Sequence, residues 1–461
     1  MTLPKPASPS GLSALLRREK DPKLALRLFQ TPNGQCSPEK PFRHSLLSYD
    51  LIITKLARAK MFPEMEAILR KLRDETHFYP KEPMFCHVIT SYGRSRMPDP
   101  AVRTFESIPS FRCRRTVKAF NTLLNALLKC EEYGRMIEFF HNIEKYAYPD
   151  ACTYNILINA CGVVGRLDDA CKLFDEMPRR GVFPNVVTFG TLIYWLCVDN
   201  RFEEAFELKD NMVRAHGILP NAHIYACLIK AACKVTDLSN AFGLKDEMLS
   251  NRVELDSAIY NTLINVLFKA GRKDEVSGLL EEMREKGCGP DTVTYNTMIS
   301  ALCDKKDFEA AHRILDEMAV NGSKPDVISF NVIIRGLCKE GKLQEASDLF
   351  EDMPRQGCRP DVVSYRVLFD GLSMHRLLEE AVLILDEMLF QGYAPRDSSL
   401  NEFLHNLCEE GKHKLLVRVL TSLGKGNLIE ADIWARVVSL VCDKETDLCS
   451  ETIDHLTDSC V

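Results

Sequence analysis

The chain has 461 residues, of which 46% are hydrophobic and 27% charged, and its formal net charge at pH 7 is -6. This balance is typical of a folded protein and excludes a chain that is disordered over its whole length. It also argues against a surface that is basic everywhere, although a local basic groove is compatible with it. No apolar run approaches the roughly 18 to 20 residues of a membrane span, so no membrane insertion is expected.

Residues 1–45 begin with several serines and basic residues, and the first acidic residue is Glu19. Serine and arginine without acidic residues resemble an organelle transit peptide. Glu19 and Asp21 come early for such a segment, so the alternative is that SALLRREKDPKLALRLF forms an irregular first helical repeat. The segment is therefore predicted to be a transit segment, an irregular N-terminal cap, or both.

A period of about 35 residues runs through the chain from 46 to 430. Counting a recurrent aromatic residue as position 4 also aligns an alanine column at position 20 and a methionine column at position 27. The aromatic residues are Phe120, Tyr154, Phe189, Tyr225, Tyr260, Tyr295, Phe330 and Tyr365. The resulting repeats are 46–81, 82–116, 117–150, 151–185, 186–221, 222–256, 257–291, 292–326, 327–361, 362–396 and 397–430, with a partial repeat or cap at 431–461. A fixed period of this length indicates a repeat architecture rather than separate domains.

Each repeat carries the patterns of two amphipathic helices. In repeat 327–361 one apolar stripe follows i, i+3, i+4 and i+7 from Phe330, and a second runs from Leu343 to Met353. Gly357 and Pro360 are expected to end the second helix. One helix pair cannot bury its apolar face, whereas stacked pairs share a continuous core. The sequence predicts an all-α fold, an α-solenoid forming a right-handed superhelix of about eleven stacked two-helix repeats.

No enzyme motif stands out in the sequence. Six of the 18 cysteines share one register, which is typical of a small buried side chain: Cys197, Cys233, Cys303, Cys338, Cys408 and Cys442. His405 and Cys408 lack a second pair that would complete a zinc site. The last residues lack the His-x-Glu and Cys-x-x-Cys pattern of a zinc deaminase. No catalytic residue, metal or cofactor is predicted.

Asparagine recurs at position 5, about 100° around the first helix from the aromatic residue. Positions 9 and 13 lie on the same face, and position 13 is lysine four times: Lys129, Lys234, Lys269 and Lys339. Such a polar, mildly basic face suits single-stranded nucleic acid, because amides can meet base edges and lysines can meet phosphates. The residues alone leave two alternatives open: an adaptor that binds a protein or peptide, and an asparagine that is merely tolerated after an N-cap.

The motifs VTYNTMISALC, LDEM, NG and KPD, at this spacing, resemble the pentatricopeptide repeat family in its P-type form, which is common in plant organelles. The resemblance spans about 46–430 and is most specific in 117–396. Tetratricopeptide repeats have a similar length, but they carry Gly and Tyr at positions 8 and 11, where this chain has Ile299 and Leu302.

The resemblance implies that each repeat reads one RNA base. In the family, position 5 bonds the base edge, the last residue of the repeat assists, and position 2 wedges between bases. The implied base-reading pairs are Asn121 with Asp150, Asn155 with Asn185, Asn261 with Asp291, Asn296 with Asp326, and Asn331 with Asp361. The implied wedges are Val187, Ala258, Val293, Ile328 and Val363. Asn with Asp implies uracil and Asn with Asn implies cytosine or uracil, so a pyrimidine-rich target is expected.

Five repeats depart from this pattern, and the bases they face are not predicted. Their pairs are Asp50 with Lys81, Cys86 with Thr116, Gly190 with Asn221, Ala226 with Asp256, and Arg366 with Arg396. The resemblance also implies an organellar protein, with the mitochondrion ahead of the chloroplast. It would bind single-stranded RNA and act in stabilisation, processing, splicing or translation without catalysis of its own, alongside other organellar RNA-processing proteins.

Overall fold

A computed structural model describes residues 8–31 and 44–425, and every regular element within them is helical. The predicted all-α class is therefore confirmed. The chain divides into two compact units, residues 1–228 and 229–461. The predicted cap at 431–461 and Cys442 lie outside the described residues.

The first unit contains twelve complete helices among its described residues: α1 (Pro9–Arg18), α2 (Pro22–Gln30), α3 (Leu46–Arg58), α4 (Phe62–Asp74), α5 (Glu82–Arg94), α6 (Pro98–Ser107), α7 (Val117–Lys129), α8 (Tyr133–His141), α9 (Ala151–Val163), α10 (Leu167–Arg179), α11 (Val186–Val198) and α12 (Phe202–Arg214). Short 3₁₀ helices follow α6 and α8, at Ile108–Phe111 and Ile143–Lys145. The boundary between the units falls within α13 (Ala222–Lys234).

The second unit continues with the helices α14 (Leu238–Ser250), α15 (Ser257–Lys269), α16 (Asp274–Glu285), α17 (Thr292–Asp304), α18 (Phe308–Val320), α19 (Val327–Lys339), α20 (Leu343–Asp352), α21 (Val362–Met374), α22 (Leu378–Phe390), α23 (Asp397–Glu409) and α24 (His413–Lys425). No helix in the described ranges is long and apolar enough to cross a membrane.

Consecutive first helices pack side by side in both units. In the first unit α3, α5, α7, α9 and α11 form one row, and in the second unit α15, α17, α19, α21 and α23 form another. The aromatic, alanine and methionine columns are buried throughout, as Phe330, Ala346 and Met353 illustrate in one repeat. Because burial of one large apolar side chain contributes about 1.5–3 kcal/mol, these columns hold the stack together.

The first helices begin where N-capping residues satisfy their free backbone N–H groups. In the cap of α19, Asp326 Oδ1 accepts from the Ser329 N–H at 2.8 Å, and Ser329 Oγ accepts from the Asp326 N–H at 3.2 Å. The same capping box forms at Asp150, Asn185, Asp291 and Asp361. Loss of such a cap costs about 1 kcal/mol, so these residues set the start of each helix.

Position 15 closes the first helix of every repeat from 46 to 425 in the left-handed region, whether or not it is glycine. Gly341 has φ 76° and Lys306 has φ 61°. A non-glycine residue with positive φ is uncommon, and the side chain of a residue such as Lys306 does not favour that backbone conformation. The turn is therefore imposed by the packing of the two helices it joins.

Small side chains let neighbouring first helices approach closely. A Cβ on Gly371 would lie 2.5 Å from Cys338 Sγ, which explains why the cysteine register favours a small residue. Burial raises the pKa of the Cys233, Cys303 and Cys338 thiols to about 12, so they stay protonated. The cysteines in the described part of the chain are free thiols.

The described part of segment 1–45 is helical. Helices α1 and α2 pack on α3 and bury Leu12, Leu16 and Phe29. Residues 9–30 thus adopt the helix pair that was one of the two alternatives for this segment, and the transit peptide stays a prediction.

Candidate nucleic-acid interface

Position 5 of the first helix meets the start of the next repeat. Asn121 is 7% exposed, and its Nδ2 donates to Asp150 Oδ1 at 3.0 Å. Asp150 is the N-cap of α9, and Thr153 of the same cap donates from Oγ1 to Asn121 Oδ1 at 2.7 Å. The predicted pair Asn121 and Asp150 is therefore joined directly, and both ends of the amide are held.

A second closed network of this kind forms in the other unit. Asn296 Nδ2 donates to Asp326 Oδ1 at 3.2 Å, and Ser329 Oγ donates to Asn296 Oδ1 at 2.6 Å. In both networks the hydroxyl at position 3 of the following repeat serves the cap and the amide together. The amide orientation is assigned from these bonds.

The other three predicted asparagines have an open acceptor. The Oδ1 atoms of Asn155, Asn261 and Asn331 are buried and have no hydrogen-bond partner among the described residues. In the described chain no hydrogen bond joins Asn155 to Asn185 or Asn261 to Asp291. A buried acceptor without a donor costs about 1–3 kcal/mol, and because these oxygens have almost no exposed surface, each side chain must turn before a ligand can supply that donor.

The cap carboxylates retain an unused oxygen. At Asp326 and Asp361 the hydrogen bonds of the cap all go to Oδ1, so the cap does not use Oδ2. Burial alone would raise the pKa of both carboxyls. The hydrogen bonds from Ser329 and Asn296 to Asp326, and from Ser364 and Asn331 to Asp361, outweigh burial and lower both pKa values below the ordinary 3.8. Both residues are therefore carboxylates at neutral pH and can only accept hydrogen bonds.

Most of the predicted wedge residues stand out from the surface at the start of the first helices. Val187, Val293 and Ile328 are 59%, 61% and 61% exposed. Ala258 is also exposed, whereas Val363 is half-buried. An aliphatic side chain thus recurs three residues before position 5. Where it is exposed, it offers apolar surface to a flat ligand.

The position-13 lysines lie at the opposite end of the first helices, and all four are exposed. In the second unit, Lys234 and Lys269 line a cavity of about 370 Å³ together with Asn261. Another cavity of about 390 Å³ contains Lys339 and Arg335. In the described part of the chain no carboxylate pairs with Lys129, Lys269 or Lys339. In each unit these cations are thus available to an anion that follows the asparagines of that unit.

The five departing repeats lack the amide network for identifiable reasons. Gly190 has no side chain and Ala226 has only a methyl group at position 5. Arg366 donates from Nε to the Ala394 carbonyl oxygen at 2.9 Å, and Arg396 pairs with Asp370 at 3.2 Å, so both cations are engaged within their repeat. Asn221 and Asp256 still cap α13 and α15.

The two earliest departing repeats are equally without an amide. Cys86 is buried and Asp50 is half-buried. Thr116 donates its backbone N–H to Glu82 Oε1 at 2.7 Å. Lys81 precedes α5 without a side-chain cap bond.

One position-5 asparagine was missed by the aromatic alignment. Asn401 occupies position 5 of α23, half-buried, but Leu400 stands where the other repeats have an aromatic residue. The repeat period itself was the signal that could have found it. Among the residues that the structure describes, no group of three or more His, Cys, Asp or Glu side chains is placed to hold a metal ion.

Comparisons with known proteins identify the repeat. A family model described as the PPR (pentatricopeptide repeat) family matches residues 115–162, 149–198, 184–234, 255–304, 290–339 and 325–374, and a model of the single repeat matches 363–393. Together they cover more than half of the chain.

Two relatives and one solved structure illustrate the similarity. A pentatricopeptide repeat-containing protein of Arabidopsis thaliana is 50% identical over 247 residues, which are 46% of this chain and 52% of that protein. Another from the same plant, named as mitochondrial, is 29% identical over 185 residues, 40% of this chain and 45% of that one. The structure of yeast Rmd9p, solved with a 16-nucleotide target RNA, matches with 14% identity and a TM-score of 0.50 over 98% of both chains.

The chain spans about half the length of the curated relatives it matches. The structural match supports the fold alone, because its sequence identity is low. The family models, in contrast, cover the repeats in which the asparagine networks form. This chain belongs to the pentatricopeptide repeat family.

Proposed function

We propose that this chain binds single-stranded RNA along the faces of its first helices over 46–430, with one base per repeat, and that the four repeats with an Asn–Asp pair read uracil. The observation that carries the proposal is the Asn–Asp network, which joins position 5 of one repeat to the cap of the next in both units. The yeast protein of similar fold was solved with its target RNA, which supports this assignment.

The network has the donor and acceptor pattern that uracil requires. Uracil offers a carbonyl acceptor beside an N3–H donor on its Watson–Crick edge, and single-stranded bases are read on such edges. Asn296 keeps one Nδ2 hydrogen for the carbonyl, and Asp326 keeps Oδ2 to accept N3–H, directly or through a water. Cytosine has an acceptor at N3, which would face the carboxylate unfavourably. Asn185 can instead present an amide N–H, so the repeat 151–185 tolerates cytosine.

Exposed side chains around the network supply affinity. The wedges Val293 and Ile328 flank the amides and offer apolar surface to the base faces. The exposed lysines Lys129, Lys269 and Lys339 meet phosphates, each contributing about 0.7 to the salt slope. Lys234 is proposed for the same role.

The proposed setting is an organelle, with the mitochondrion ahead of the chloroplast, because one of the relatives is named as mitochondrial. The chain would act there as a P-type protein that stabilises, processes, splices or helps to translate a pyrimidine-rich transcript. It would do so without catalysis of its own and alongside other RNA-processing proteins.

The test changes one base-reading residue and follows the base. Asn331→Thr with Asp361 retained is expected to shift the preference of repeat 327–361 from uracil towards guanine. Titration with RNAs carrying U or G at the matching position measures the shift. Asn211→Thr, the same exchange on an exposed second-helix position, is the matched control and should change nothing.

An unchanged U preference in Asn331→Thr would contradict the assignment of position 5. Competition with homopolymers tests the wider proposal, since poly-U should displace the bound RNA and poly-A should not. A chain that binds neither polymer would instead favour the protein-binding adaptor.

A further inference from the structure

Repeat 186–221 lacks the amide, and two aromatic rings, one from this repeat and one from the next, lie near the vacant position. Tyr194 lies one helical turn after Gly190 on α11 and is 41% exposed. His223, at position 2 of α13, is also exposed. Their ring centroids are 6.4 Å apart and their planes differ by 24°. Position 2 is the wedge position, so an aromatic ring replaces the aliphatic wedge in the following repeat, 222–256, whereas repeat 186–221 keeps its own wedge, Val187.

The spacing of these rings suits an inserted flat group. Stacked nucleobases repeat at about 3.4 Å, so a base between two rings holds their planes about 6.8 Å apart. The centroid distance of 6.4 Å includes any sideways offset of the rings, so the exposed His223 side chain has to turn to face the base. The two rings are nearly parallel, and the exposed His223 side chain can adjust its rotamer. A third ring between them would contact both faces.

Packing beneath Tyr194 holds its ring in place. The ring contacts Trp195 edge-on, with centroids 5.1 Å apart and planes at 78°. Trp195 lies over Gly162, where a Cβ would come within 2.3 Å of the indole, and its Nε1 donates to Asn159 Oδ1 at 3.0 Å. The aromatic wall is thus anchored to the preceding repeat rather than free to collapse.

Gly190 leaves room that the other repeats fill with an asparagine. Around a Cβ built at Gly190 only the Ile224 side chain comes within 4 Å, at 3.4 Å. The amide oxygen of Asn221, the last residue of the repeat, accepts from the Ile224 N–H at 3.0 Å in the α13 cap. This repeat therefore combines extra space and stacking surface with no position-5 side chain to read a base edge.

We propose that repeat 186–221 holds an unpaired purine of the RNA by stacking it between Tyr194 and His223. The larger purine gains more stacking area than a pyrimidine and fills the space above Gly190, while its edge is left unread. The inference rests on the proposed RNA binding and adds a base class at a position that the family pattern leaves unassigned.

With the chain read from its amino to its carboxyl terminus as 5′ to 3′ along the RNA, the experiment uses RNAs that keep uracil opposite repeats 257–361. It varies the base two nucleotides 5′ of the first of these uracils, which is the base opposite repeat 186–221. RNAs with adenine or guanine at this position should bind about tenfold more tightly than an RNA with an abasic site there, because stacking of one base on aromatic side chains raises affinity by on the order of tenfold. Tyr194→Ala and His223→Ala should each reduce this advantage, and the double variant should abolish it. Binding of the abasic RNA should stay unchanged in all three.

Two further variants separate stacking from loss of structure. Tyr194→Phe keeps the ring and should keep the purine advantage, and Tyr148→Ala, at an exposed tyrosine outside the site, is the matched control. Gly190→Asn restores the amide and should turn the preference towards pyrimidine.

The outcomes distinguish the two proposals. If the uracil-containing RNA binds but adenine and the abasic site bind equally, the stacking site is wrong and the RNA-binding proposal stands. An equal loss for adenine and abasic RNA in Tyr194→Ala would also overturn the stacking site. If no RNA binds, the proposed function itself fails.

Discussion

Repeats 117–150 and 257–291 carry the same three residue types at the candidate site but connect them differently. Each has asparagine at position 5, aspartate at its end and threonine at position 3 of the following repeat. In the first, Asn121 is bonded to both Asp150 and Thr153. In the second, Thr294 bonds only to Asp291, and the Asn261 oxygen has no partner in the described chain. Identical residues therefore do not guarantee an identical site.

The difference has a chemical consequence for base reading. Asn121 has only an N–H left for a base, so it can serve an acceptor such as a uracil carbonyl. Asn261 has an oxygen without a partner in the described chain as well, and once its buried side chain turns towards the base, that oxygen can accept from the exocyclic amino group of cytosine. We expect repeat 117–150 to discriminate uracil from cytosine more strongly than repeat 257–291.

The largest expected difference appears when the cap aspartate is removed. Asp150→Ala loses the cap, about 1 kcal/mol, and leaves the buried Asn121 amide without its acceptor, a further 1–3 kcal/mol or so. Asp291→Ala loses the cap alone. Hydrogen exchange of α9 and α17 measures the local opening free energy in each case, which avoids assuming two-state unfolding of a repeat protein.

Double-mutant cycles isolate the amide bond from the cap. Coupling between Asn121→Ala and Asp150→Ala should be about 1 kcal/mol, and between Asn261→Ala and Asp291→Ala close to zero. Equal coupling energies would mean that the two networks do not differ in solution.

A milder change breaks the link that distinguishes the two repeats. Thr153→Val and Thr294→Val both lose a capping hydroxyl, but only Thr153→Val releases the Asn121 oxygen. The preference for U over C at repeat 117–150 should then fall by about two- to tenfold, the worth of one hydrogen bond, whereas that at repeat 257–291 should not change. Thr153→Ser should retain the preference. Titration with U- and C-containing RNAs measures both, and a parallel loss in the two repeats would refute the link.

Mild acidification should leave the cap carboxylates charged in both kinds of repeat, those in which the asparagine oxygen is hydrogen-bonded and those in which it is not. The pKa values of Asp326 and Asp361 are lowered on folding, so their stabilisation is fully present above the ordinary value of 3.8 and is lost as pH falls through the lower folded pKa. NMR titration should find both carboxyls mostly ionised at pH 4. This should hold for Asp326, beside Asn296 with its hydrogen-bonded oxygen, and for Asp361, beside Asn331 with its unpartnered oxygen. Uracil preference at these repeats should be equal at pH 5 and 7, and a loss of preference by pH 5 would show that the carboxylates are not held as described.

The smallest effect is expected from the lysines, and it should not distinguish the repeats. Lys129→Gln and Lys269→Gln should each reduce the salt slope of RNA binding by about 0.7, with the same base preference as before. Affinity measured across a range of salt concentrations tests this. A change in base preference in either variant would show that the lysine contacts a base rather than a phosphate.

The helix pattern and the residues that a ligand would meet could be predicted from the sequence alone. The stripe beginning at Phe330 predicted one buried face, and the Pro325-Asp326 pair marked where α19 begins. The period also placed Asn121 and Asp150 in corresponding positions, and the structure brings them within 3.0 Å. The stripe and the cap depend on residues a few positions apart, whereas the pairing of Asn121 with Asp150, 29 residues away, follows from the repeat period. Nothing in the side chain of Lys306 indicated its left-handed backbone, and Asn401 was overlooked because Leu400 replaces the aromatic residue that marked the other repeats.

Only the tertiary structure decided which asparagine oxygens are hydrogen-bonded and which have no partner among the described residues. The bond from Thr153 to Asn121 spans 32 residues and depends on the offset between α7 and α9. That offset arises from packing between whole helices, of which Trp195 over Gly162 is an example. A hydrogen bond is made or lost over a few tenths of an ångström. Sequence periodicity determined which side chains meet at each repeat junction, and only the packing of consecutive helices determined how closely they meet.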